Sequence, residues 1–247
     1  IYNLCYRLAA LGVPVRFVST GVPLASDLEP IWQHLQSLSG VAKRLPNVSI
    51  VDASDRGRSV AIGENDVFLA TAWWTAQMVK YALPLVRSER FIYVIQDYEA
   101  VLTEHPTAHA LTMETYGLDY LPLLNHQFLA DYMRQYRVGR FADAEFADRA
   151  MVMHPAIDRT KFYSELGERE GPRRLLFYAR PQTGKRNLFE LGIAALQYAI
   201  SVGGFGEGEW EFLAMGDAIA PVGLGGGHVL KPAPWCNFDD YAAQMRS

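Results

Sequence analysis

Leu175-Leu176-Phe177-Tyr178-Ala179-Arg180-Pro181-Gln182-Thr183-Gly184-Lys185-Arg186-Asn187-Leu188-Phe189-Glu190-Leu191 decides the fold class. Leu175 to Ala179 is a short apolar run of the kind a parallel sheet buries, and Pro181 stops it from continuing. Asn187 followed by Glu190 is a capping-box variant, after which Leu188, Leu191, Ala195, Leu196 and Ala199 recur at helical spacing. The stretch therefore reads as strand, loop, helix. Arg180 falls at the carboxyl end of the strand, and Lys185 and Arg186 fall just outside the helix start. Free N–H groups and the helix dipole favour negative charge there, so three cations on this turn outline a phosphate site. The structural alternative is a solvated basic loop.

The same alternation extends towards the amino terminus. A helix is expected from Tyr2 to Leu11 and strands at Val15 to Ser19, Val48 to Val51, Val67 to Thr71 and Phe91 to Gln96, with helical patterns at Leu28 to Leu38 and Thr75 to Val86 between them. Further on come a helix at Ala108 to Tyr116, a strand at Tyr120 to Leu124, a helix from Gln127 to Tyr136 and a strand at Ala150 to Met153. Strands alternating with helices imply parallel sheets with right-handed crossovers. After His154-Pro155 the sequence turns polar up to Pro172, and the pattern then restarts with strands at Leu175 to Ala179, Trp210 to Met215 and His228 to Leu230. Two α/β domains follow, at 1–157 and 173–247, with 158–172 as linker. The glycine stretches at 203–208 and 223–227 lack the Gly-Lys-Ser/Thr end of a P-loop and read as flexible connections.

Composition bounds the function. The 247 residues are 50% hydrophobic and 20% charged, which is globular composition. A formal net charge of −4 argues against a nucleic-acid binder, so any cationic site must be local. The two cysteines stand alone without metal spacing, which fits a reducing cytoplasm. The Asn47-Val48-Ser49 triplet matches a glycosylation sequon without a secreted context. No apolar stretch reaches the ~20 residues of a membrane-spanning helix, so at most peripheral membrane contact is expected.

Candidate chemistry lies at strand ends. Phe91-Ile92-Tyr93-Val94-Ile95-Gln96-Asp97-Tyr98-Glu99 closes a buried strand with two carboxylates where α/β sheets bind ligands. Asp97 or Glu99 is placed to act as a general base; the structural alternative is a helix-capping Asp with a solvated Glu. One such pair without a third ligand makes a weak metal site. Trp73 and Trp74 follow another strand, where two indoles stack on a sugar face or pack in a core. Of His105, His109, His126 and His154, His126 is the best placed, although structural histidines are expected first.

Four segments carry a resemblance: Ala70-Thr71-Ala72-Trp73-Trp74-Thr75-Ala76, Ile95-Gln96-Asp97-Tyr98-Glu99, Phe177-Tyr178-Ala179-Arg180-Pro181 and Lys185-Arg186-Asn187-Leu188-Phe189-Glu190-Leu191-Gly192. The chain resembles GT-B glycosyltransferases of the family 4-like kind, and more closely bacterial rhamnosyltransferases of the WsaF type. The resemblance implies two Rossmann-like domains and transfer of rhamnose or another deoxyhexose from a nucleoside diphosphate donor to a glycan or lipid-linked glycan acceptor. It implies Arg180, Lys185 and Lys231 as diphosphate ligands, with Lys231 following the strand His228 to Leu230. The acceptor sugar would lie near Trp73, Trp74, His126, Asp97 and Glu99, with no cofactor and no metal. A GT-B-like sugar-nucleotide epimerase and a non-catalytic sugar-nucleotide-binding subunit are the alternatives. The resemblance also places a glycine-rich loop before Ile1 and an acidic donor motif after Ser247, so both domains are expected to be incomplete and the chain alone to be inactive.

Overall fold

The computed structural model describes the chain except residues 104, 155–156, 164–170, 182–186, 235 and 247, and the side chains of Leu38, Phe238 and Asp239. It divides into two compact units, Ile1–Pro155 and Ala156–Ser247. Both are mixed α/β with parallel strands, as Rossmann-like domains are.

The first unit opens with helix α1 (Tyr2–Ala10), strand β1 (Val15–Ser19), helix α2 (Glu29–Ser39) and strand β2 (Val48–Asp52). β1 and β2 pair in parallel over their whole length, Val15 opposite Val48 and Ser19 opposite Asp52. Tyr6, Ala9, Trp32, Leu35, Leu45 and Val48 bury a small core on them. The Tyr6 hydroxyl accepts from the Leu45 N–H at 3.3 Å and donates to the Lys43 carbonyl at 3.0 Å, so this buried phenol is satisfied.

The remaining strands of the unit form a second parallel sheet in the order β3 (Leu69–Ala70), β4 (Phe91–Ile95), β5 (Tyr120–Leu124) and β6 (Met151–Val152). The alternation of the sequence thus resolves into two hydrogen-bonded sheets. Helices α3 (Trp73–Ala82), α4 (Pro106–Thr115), α5 (Gln127–Gln135) and α6 (Ala144–Asp148) connect and cover these strands. The expected strand at Val67 to Thr71 contracts to two residues. Pro122 lies inside β5, and it is tolerated because β6 pairs only with Leu123 and Leu124, leaving β5 an edge at that level.

The core of this sheet is aromatic. Phe91, Tyr93, Tyr116 and Tyr120 are almost completely buried, and Tyr93 lies 5.3 Å from Tyr120 and 6.1 Å from Tyr116, ring centre to ring centre. Burial pushes the phenols of Tyr93, Tyr116 and Tyr120 far above the ordinary tyrosine range.

In the second unit a short helix, α7 (Arg159–Phe162), falls within the stretch expected to be linker. Asp158 caps it, accepting from the Thr160 N–H at 3.0 Å, and Phe162 packs against Tyr241 of the last helix, α9 (Phe238–Arg246), at 6.2 Å. Between them run β7 (Arg173–Ala179), α8 (Phe189–Ser201), β8 (Trp210–Gly216), β9 (Val222–Gly225) and β10 (His228–Pro232). The sheet order is β7-β8-β10-β9, parallel except for the last pair.

Two readings of the sequence are corrected here. The glycines at 223–227 are the strand β9 and its turn into β10, in which Gly225, Gly226 and Gly227 all take positive φ. Three glycines are what lets so tight a reversal form. The expected capping box at Asn187 and Glu190 is not made: Leu188 holds the cap position with φ +50 and no side-chain hydrogen bond.

Candidate functional site

Parallel strands bring their carboxyl ends to one edge, so residues distant in sequence converge there. In the first unit Thr71 follows β3, Gln96 and Asp97 follow β4, and Asn125 and His126 follow β5. Side-chain amides tie the edge together: Gln96 Nε2 donates to the Thr71 carbonyl at 3.2 Å, and Asn125 Nδ2 donates to the Gln96 carbonyl at 2.9 Å. Reading along the chain did not single out these three residues. The signal was present, because Ile95 and Leu124 are register partners and each is followed by an amide side chain.

The turn from β3 into α3 is held by two side chains. Thr75 Oγ1 accepts from the N–H groups of Thr71 at 2.9 Å and Ala72 at 3.0 Å. Glu99 reaches across from the loop after β4, and its Oε2 accepts from the Trp73 N–H at 2.7 Å. Glu99 is anchored in turn, since its own N–H donates to the buried Tyr116 hydroxyl at 3.1 Å. Of the two carboxylates it is Glu99, rather than the aspartate of the structural alternative, that sits on a helix start. A carboxylate that accepts a backbone N–H at a helix amino terminus is held in place by it, which suits Glu99 to positioning the turn.

Asp97 is half-buried at the end of β4, two residues before that anchor. Trp73 is half-buried and Trp74 is 44% exposed, with the two indoles perpendicular at 5.9 Å. Trp73 is the less exposed of the two, and Trp74 presents its ring to solvent. His126 is exposed and caps α5, its Nδ1 accepting from the Phe128 N–H at 3.1 Å. That bond gives this histidine a capping role, the structural reading expected of it. His154 lies beyond β6 on the surface. Trp73, Asp97, Glu99 and His126 are thus brought to one edge of one sheet.

The second unit places its cations less closely. Arg180 follows the buried Ala179 at the carboxyl end of β7, half-buried, with its guanidinium 3.5 Å from the Tyr178 hydroxyl. Beside it the chain leaves β8 through Gly216, whose φ is +129, and a Cβ there would strike the Ala179 carbonyl. Glycine is required for the two strands to end side by side. Lys185 and Arg186 lie outside the described residues. Lys231 is inside β10 instead of after it, because that strand continues to Pro232. Its register partner is Leu213 on β8, itself opposite Leu176 on β7. Arg180 is therefore two strands away and four residues further along, a backbone separation of about 16 Å. Lys231 and Arg180 thus stand at different levels of the sheet, two strands apart.

The described residues contain no group of three or more His, Cys, Asp or Glu side chains arranged to hold a metal ion. Among them, no helix is long and apolar enough to cross a membrane.

Both units match the domains of one family: the N-terminal domain of WsaF over residues 3–127 and the C-terminal domain of WsaF over residues 173–247. The chain belongs to the WsaF family. It is also 37% identical over 131 residues to the O-antigen biosynthesis protein RfbC of Myxococcus xanthus, an alignment covering 53% of this chain and 9% of that much longer protein. The WsaF N-terminal match contains the whole edge formed by Thr71, Trp73, Gln96, Asp97, Glu99, Asn125 and His126. The WsaF C-terminal match contains Arg180 and Lys231, and residues 128–172, including all but the first residue of α5, fall in neither.

Proposed function

We propose that this WsaF-family chain is part of a glycosyltransferase that moves a deoxyhexose such as rhamnose from a nucleoside diphosphate donor to an acceptor in a growing surface glycan. The observation that carries the reading is the matching of both α/β units, in order, by the two domains of one family, with carboxylates at the first sheet edge and an arginine at the second. The kinship with an O-antigen biosynthesis protein supports a glycan as the product.

In this mechanism the acceptor lies at the first edge. Its attacking hydroxyl passes a proton to Asp97 as its oxygen bonds to the anomeric carbon, and the bond from that carbon to the diphosphate breaks. Glu99 holds the Trp73 turn in place and so positions the acceptor. Charge grows on the departing nucleoside diphosphate, where Arg180 stabilises it; one such well-placed donor is typically worth several kcal/mol. Lys185 is proposed to assist, and Lys231, set further back in its strand, is proposed to contribute less.

The test uses the whole natural protein with candidate sugar nucleotides. Nucleoside diphosphate released only when a glycan acceptor is present establishes transfer, and release without acceptor or product would sink it. Asp97→Asn is expected to depress turnover with little change in donor binding, and transfer is expected to survive chelation. Activity abolished by EDTA and restored by manganese would overturn the metal-free mechanism.

A further inference from the structure

Helix α5 starts at the carboxyl edge with His126 as its cap, carries Phe128 and Tyr132, and ends on its C-cap Tyr136, the three rings at intervals of four residues. They share one face, with backbone positions about 6 Å from one to the next along the axis. The face is open: Phe128 is 78% and Tyr136 61% exposed. The rings form two continuous contacts, His126 on Phe128 at 4.9 Å and Tyr132 on Tyr136 at 4.5 Å. Across from α5, Tyr98 packs on Tyr132 at 5.3 Å. Tyr98 is the residue between Asp97 and Glu99. Two groups of aromatic rings, one reaching the proposed reaction edge through His126 and the other through Tyr98, therefore run out along the helix.

This is not the buried face of α5, where Ala130 and Met133 enter the core. Nor is it cationic. Gln135 and Asp131 flank the rings, and Arg134 points to the opposite flank, where it pairs with Asp148 at 2.9 Å. A neutral to acidic face is poorly matched to an anionic lipid surface. The hydroxyls of Tyr132 and Tyr136 have no protein hydrogen-bond partner among the described residues. Exposed rings with available hydroxyls offer what a sugar needs: a flat apolar surface for its C–H face and donors and acceptors for its edge.

Resting on the glycosyltransferase reading, we infer that Phe128, Tyr132 and Tyr136, joined to the reaction edge by Tyr98, form an extended subsite for the acceptor. It holds the sugars behind the one being glycosylated, so the protein recognises an oligosaccharide in place of a single sugar.

The test is calorimetric titration of the chain with rhamnose, mannose and galactose oligosaccharides, each series from monosaccharide to hexasaccharide. Affinity in at least one series is expected to rise with length. Phe128→Ala and Tyr136→Ala, both at exposed positions, should each weaken the longest ligand roughly two- to tenfold and leave the monosaccharide unchanged. Tyr136→Phe should keep most of the gain, and Tyr81→Ala, an exposed tyrosine on α3, should change nothing. Failure to bind all three series, or a length dependence untouched by the α5 variants, overturns the inference. So does finding that the same substitutions act on phosphatidylethanolamine–phosphatidylglycerol vesicle binding or on a dimer and not on oligosaccharide binding. Acceptor-dependent nucleoside diphosphate release reports on the glycosyltransferase reading separately, so either can fail alone.

Discussion

Replacing Glu99 separates its structural role from a chemical one. Its carboxylate accepts the Trp73 N–H at 2.7 Å at the first residue of α3. A hydrogen bond to a charged group contributes about 1.5–3 kcal/mol, and a favourable charge at a helix amino terminus about 0.3–1 kcal/mol. The two overlap and Glu99 is half-buried, so Glu99→Ala is expected to cost about 2 kcal/mol. For a unit of this size that corresponds to a fall in Tm of about 4–8 °C. Glu99→Gln keeps an acceptor oxygen and loses the charge, so about 1 kcal/mol is expected. The assay is urea and thermal unfolding followed by near-ultraviolet circular dichroism, to which the perpendicular Trp73–Trp74 pair contributes, with hydrogen exchange at the Trp73 amide as the local measure. The Trp73 amide should lose protection in the order wild type, Gln, Ala. An alanine variant within about 0.5 kcal/mol of wild type, or a glutamine variant as unstable as alanine, would refute the positioning role and return Glu99 to the candidates for the base.

The buried tyrosines predict an alkaline limit to stability. Burial raises the phenols of Tyr93, Tyr116 and Tyr120, and to a lesser degree Tyr98, in the folded chain. An unfolded tyrosine loses its proton near pH 10 while these hold theirs, so their contribution is complete below about pH 10 and is lost as pH rises beyond it. Tyrosinate absorbance should therefore show these phenols ionising together with unfolding, and smooth titration of all 13 tyrosines in a chain that stays folded would contradict this. In the second unit, Arg180→Ala should weaken nucleoside diphosphate binding about tenfold or more while sparing the nucleoside, because a charged hydrogen bond is lost. Lys231→Ala should have much less effect; equal losses in calorimetric titrations would show that the register argument misplaces the phosphate.

The sequence alone determined the kind of element at nearly every position. Apolar runs closed by Pro or Gly, followed by helical periodicity, are local signals, and they mark β1, β2, β4, β5, β7 and β8 to within two residues at either end. They also mark the strand ends, which is why Asp97, Trp73, His126 and Arg180 were legible as candidates. Signals failed where the deciding partner is remote. β9 escaped notice because a Gly-rich run takes strand form only when β10 pairs with it. The Asn187 cap was a local pattern that the folded turn does not use. Glu99 looked like the freer carboxylate until the fold placed its oxygen on a backbone N–H 26 residues away. Lys231 looked like a neighbour of Arg180 until strand order and register set the two apart. The aromatic face of α5 was visible only as a helix, since nothing local tells which of its faces the core leaves open. Periodicity is a property of neighbouring residues and survives in the sequence. Which side chains share a site depends on strand order, register and the direction each helix faces, and those are fixed only when the whole chain packs.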